Sequence, residues 1–131
     1  MKKLTACLLA ASLAFGAQAA DSQSLKLISV SSYLNFFLVN LNGCEDYHPS
    51  VRAAAYQSES KLYPHYEKLD KKISSLKIDK SDKDAISNTI ERSRAKLNAQ
   101  IAEGEFSVEH CKAVIGIVEN GLDSNLLSAL N

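Results

Sequence analysis

Cys44 and Cys111, three histidines and an arginine–tyrosine series are the side chains through which this chain could do chemistry. Cys44 is followed by Glu45-Asp46-Tyr47-His48, and Cys111 is preceded by Glu109-His110. A Cys44–Cys111 disulfide would bring two imidazoles and up to three carboxylates into one patch, the composition of a surface metal or pH-sensing site. Both segments also flank helix N-termini, where acidic residues are favoured by the helix dipole without any ligand. The third histidine, His65, stands apart. The sequence has no G-x-S-x-G, H-E-x-x-H, phosphate loop, C-x-x-C or C-x-x-C-H, and no local motif gathers the nucleophile, base and orienting acid that covalent catalysis needs. The expectation is a protein that is not an enzyme, with no cofactor and no assigned metal ligand.

The second constellation is Arg52, Tyr56, Glu59 and Tyr63, which share one side of a helix, with Tyr66 one turn on. Tyrosine and arginine anchor protein interfaces because they combine contact area with a polar tip. These four residues are the expected partner-binding set. The competing role for the rings is to close the edge of the core with their hydroxyls in water.

The compartment follows from the first twenty residues. Lys2 and Lys3, an apolar run from Leu8 to Phe15, and Ala17-Gln18-Ala19 have the order of a secretory signal. Cleavage after Ala19 defines residues 1–19 as leader and 20–131 as one domain, periplasmic or secreted. Leu4-Thr5-Ala6-Cys7 has the local pattern of a lipoprotein box but precedes the apolar run instead of following it. Without Lys2 and Lys3, the 15 basic residues fall to 13 against 15 acidic, a net charge of −2. That balance argues against nucleic-acid binding. After the leader there is no run of about 18 consecutive apolar residues, so no membrane span is expected. Glu59–Lys96 carries a net +3 and Leu97–Asn131 a net −4, an asymmetry that can steer a charged partner. An exported chain with an even pair of cysteines forms a disulfide, so Cys44–Cys111 is the expected bond.

The elements that must position these groups read as helices. Leu27, Val30, Leu34, Phe37, Leu38 and Leu41 recur at helical spacing, and Leu25, Ile28, Tyr33 and Phe36 widen the stripe. The first helix therefore spans Ser24–Asn42, is central, and ends at Asn42-Gly43. A second runs from Pro49 to about Leu76 with a kink or break near Lys61–Tyr63, because Pro64 removes a donor. Ser81 caps a third helix from Asp82 to Ala102, closed by Gly104. Ser107 caps a fourth that carries Cys111, Val114, Ile115 and Val118, and Leu126, Leu127 and Leu130 pack back on the bundle. The fold class is all-α, a small bundle of four to five helices tied by one disulfide.

A signal, a rigid bundle and no catalytic set together point to function by binding another protein in the envelope or periplasm. Inhibitors and immunity proteins that block a cell-envelope enzyme are of this general type. Two alternatives follow from other features. The very apolar first helix suits a carrier of a small apolar ligand, and the His48/His110 patch suits a metal-binding or pH-sensing protein.

Overall fold

The computed structural model describes residues 22–103 and 106–131. The leader 1–19, Cys7 and the expected stop at Gly104 lie outside the described residues. Among those described the fold is helical throughout, without strands. The elements are α1 (Ser22–Tyr47), a 3₁₀ turn (Pro49–Val51), α2 (Arg52–Ser60), α3 (Tyr63–Ser75), α4 (Lys80–Glu103), α5 (Val108–Asn120), α6 (Ser124–Leu127) and a closing 3₁₀ turn (Ser128–Leu130).

Helix α1 is the axis of the molecule. Its apolar residues occupy most of its circumference, and it packs against every other element. Leu27, Val30, Leu34, Phe37, Leu41 and Cys44 are buried at steps of three and four, the rows that face neighbours in helix packing. By length and composition α1 could cross a membrane, but half of its most apolar window is buried inside the protein. That half builds the core, while Leu25 and Phe36 remain exposed.

This helix runs five residues past its expected end. Gly43 does not cap α1; it is buried within it. A Cβ on Gly43 would stand 3.0 Å from Cζ of Phe106 and 3.2 Å from Cγ2 of Ile101. The glycine is there because a ring lies flush against the backbone. Termination comes instead at His48, which adopts φ −128° and ψ 87°, as expected of a residue that precedes proline.

The long second helix divides as its proline demands. Pro64 has no N–H to continue the ladder, so α2 tightens into i→i+3 bonds, from Lys61 N to Ser58 O and from Leu62 N to Glu59 O. Helix α3 then restarts at Tyr63 with Pro64 in its first turn. The start of α4 is shifted. The carbonyl of Asp79 accepts from the amides of Asp82 and Lys83, so Ser81 sits inside the first turn and does not cap. Ser107 does cap α5, its Oγ accepting from the amide of His110 at 3.1 Å. Helix α5 ends on Gly121, whose φ of 112° suits only glycine. Leu130 returns to the core, with Leu126 and Leu127 half-buried beside it.

Cys44 and Cys111 form a disulfide with a Cα–Cα distance of 5.7 Å across 67 positions of sequence, inside the range that unstrained backbone allows. It ties the last turns of α1 to the first turn of α5, with both cysteines fully buried.

Candidate protein-binding face

The face is built where three segments meet. The last turn of α1 supplies Glu45 and Asp46, α2 supplies Arg52, Tyr56 and Glu59, and the first residue of α3 is Tyr63. The break at Lys61-Leu62 keeps Tyr63 in line with α2, because its hydroxyl donates to Oε1 of Glu59 at 2.5 Å. Tyr56 is 66% exposed and Tyr63 49%. Neither ring closes the core. A shallow groove beside Tyr56 is lined by Glu45, Asp46, Pro49, Arg52 and Ala53.

Arg52 has a structural role that its spacing did not reveal. Its Nε donates to the backbone carbonyl of Glu45 at 2.7 Å. That carbonyl belongs to the last turn of α1, where no intrahelical donor follows. The guanidinium therefore satisfies an orphan acceptor and sets a positive charge at the negative end of the helix dipole. Arg52 is exposed and still anchored.

The carboxyls of this face are unequal. Glu45 is pushed up to about 7, first by burial, then by its hydrogen bond to Glu59 and the negative charges of Glu59 and Asp46, with Arg52 acting in the opposite direction. Tyr63 is pushed up to about 12, chiefly because its hydroxyl donates to Glu59. At neutral pH the tyrosine is therefore a neutral donor.

The histidine patch takes a different form from a metal site. His48 Nε2 donates to the carbonyl of Phe106 at 2.6 Å, and His110 Nε2 donates to Oδ1 of Asn40 at 2.6 Å. The Phe106 ring lies between them, stacked on His48 at 5.7 Å and edge-on to His110 at 5.3 Å. Among the described residues no group of three His, Cys, Asp or Glu side chains is arranged to hold a metal ion. His48 fastens the segment before α5 to the end of α1, and His110 fastens α5 itself to α1. His65 is half-buried, and burial with the charge of Lys68 lowers its pKa.

One polar cluster gave no sequence signal. Asn35 is fully buried in α1. Its Oδ1 accepts from the hydroxyl of Tyr66 at 2.6 Å and from Nη2 of Arg94 at 3.1 Å, and its Nδ2 donates to the carbonyl of Ile90 at 3.4 Å. The Arg94 guanidinium lies 5.8 Å from the centre of the Tyr66 ring. This knot joins α1, α3 and α4. A matching tie on the other side joins α2 to α5, where Glu119 accepts from Ser58 at 2.8 Å and pairs with Lys61.

A groove of about 300 Å³ between the start of α1 and α4 is lined by Leu25, Ile28, Ile78, Ala85 and Ile86, with Ser24, Asp82 and Thr89 at its rim. It opens to solvent. Comparison with known protein families, with curated proteins and with solved structures finds no match.

Proposed function

We propose that this protein is an exported helical binding protein that acts by contact with another protein, in the manner of an inhibitor or immunity protein for a cell-envelope enzyme. It has no catalytic role in this reading, and Arg52, Tyr56, Glu59 and Tyr63 form its partner surface. The observation that supports it most is the exposure of two large aromatic rings, Tyr56 on α2 and Tyr63 at the start of α3. A large aromatic ring held in water with its hydroxyl tied down, as Tyr63 is by Glu59, loses little freedom on association. A buried disulfide fits an oxidising compartment, and the signal-like order of residues 1–19 supplies the route to the periplasm or beyond.

The test is affinity capture with the mature protein from envelope extracts, followed by binding measurements on the partner identified. Truncation of Tyr56 or Tyr63 to Ala is expected to cost about 2 kcal/mol of binding, close to a thirtyfold loss of affinity. Unchanged affinity in both variants would remove this face from the interface.

A further inference from the structure

The end of the bundle where α1 begins sets an apolar side chain in water beside lysines that have no ion partner. Leu25, near the start of α1, is 56% exposed. It lines two open grooves, one with Ile28, Ile78 and Ile86 and the other with Lys26, Leu126 and Ala129. The closing turn Ser128–Leu130 carries this surface on to α3. There Leu130 lines a third groove with Lys68, Lys71, Lys72 and Ser75. Among the described residues the ion pairs are Lys61–Glu119 and Lys112–Glu109, so Lys26, Lys68, Lys71 and Lys72 are all unpaired. Asp82, on the far side of Leu25, is the one carboxylate in the lining of these grooves.

Unpaired ammonium groups around an exposed leucine complement an anionic lipid interface. The charges meet the headgroups and the leucine enters the acyl boundary. The chain's own route favours a bilayer over an acidic protein as the occupant. Six residues separate Phe15, the last of the leader's apolar run, from Ser22 at the start of α1. Seven extended steps reach at most about 25 Å. A leader held in the membrane therefore delivers this end of the bundle to the lipid surface first. We infer that Leu25 and Lys26 of α1, the closing turn and the lysines of α3 form a docking surface for an anionic bilayer. The inference goes beyond the protein-binding reading and rests only on its export half. None of Arg52, Tyr56, Glu59 and Tyr63 lines these grooves, so lipid and protein partner do not compete for the same residues.

Flotation of the mature protein with vesicles tests this directly. Vesicles of phosphatidylglycerol and phosphatidylcholine in equal parts are expected to carry the protein upward, and vesicles of phosphatidylcholine alone are not. Binding should be lost at about 1 M salt, where the screening length is about 3 Å. A lysine near an anionic surface contributes about fivefold to partition, so replacing Lys68, Lys71 and Lys72 together by Gln should weaken it on the order of a hundredfold. Leu25→Ser should weaken it without changing its salt dependence. Replacing Arg92, Lys96 and Lys112 by Gln removes the same charge from α4 and α5 and should leave partition near the parent value. Equal loss in the two triple variants overturns the location. Absence of flotation with the anionic vesicles overturns the membrane, and polyglutamate bound through Lys68, Lys71 and Lys72 in that case would assign the surface to an acidic protein. Export is read separately, from the N-terminal sequence of the protein recovered from the envelope.

Discussion

The disulfide end of the bundle and the α4 flank are held by different means. At the disulfide end, α1, α2 and α5 converge on Cys44–Cys111, on the Arg52–Glu45 carbonyl bond and on the two histidines. Every one of these links residues far apart in sequence or caps a helix end. Helix α4 is 24 residues long, yet Ile86 is its one buried hydrophobic residue among those described, with Ile90 half-buried. Its main polar attachment is the Asn35–Arg94–Tyr66 knot. The contrast teaches that long-range attachments in a small bundle can be concentrated at one end, and that a long helix can ride on the core with few buried side chains.

The largest expected effect comes from the crosslink. Replacing both cysteines by Ala should lower stability by about 2–5 kcal/mol, read from denaturant unfolding of the oxidised parent and the variant. A loss well under 1 kcal/mol would mean that noncovalent contacts already secure this end, and the contrast with α4 would collapse. A smaller loss is expected from Asn35→Ala. It leaves the Tyr66 hydroxyl and one guanidinium edge without their buried acceptor, at a cost of about 1–3 kcal/mol. Amide exchange should quicken along α4 more than along α5, which sharpens the comparison; uniform quickening would make the two regions one cooperative unit. The smallest effect belongs to Tyr56→Ala. An exposed ring should change stability by no more than about 0.5 kcal/mol, measured by the same unfolding curves. A loss of several kcal/mol would assign Tyr56 to the core.

The helical class, the central position of α1, the crosslink and the break before Pro64 were legible in the sequence because each has a local physical cause. Apolar residues at steps of three and four, an even cysteine pair and a missing N–H need no knowledge of neighbours. Gly43 misled for the opposite reason. Asn-Gly after an apolar run is the local pattern of a helix stop, and only the distant Phe106 ring explains why the helix continues. The boundary at Asp79 was missed because Ser81 is an equally good cap by residue type. Of the candidate face, the shared side of Arg52, Tyr56, Glu59 and Tyr63 was legible from spacing. The bond from Arg52 to the Glu45 carbonyl was not, since it depends on how α1 meets α2. Asn35 was invisible as a knot because nothing local distinguishes a satisfied buried amide from an exposed one.

The covalent ring closed by Cys44 and Cys111 has a topological consequence. All of α2, α3 and α4 lie between the two cysteines. A protease that cuts the chain once within that ring, at the exposed Lys61 between α2 and α3 for instance, converts a closed loop into an open one without releasing a fragment. The nicked molecule remains a single covalent body, and its Cys44 and Cys111 anchors stay attached to each other. Dissociation requires a second event, either a further cut or reduction of the bond. In an envelope or extracellular setting, where proteases act and reductants are scarce, the arrangement turns one cleavage from a loss of the protein into a change of its connectivity.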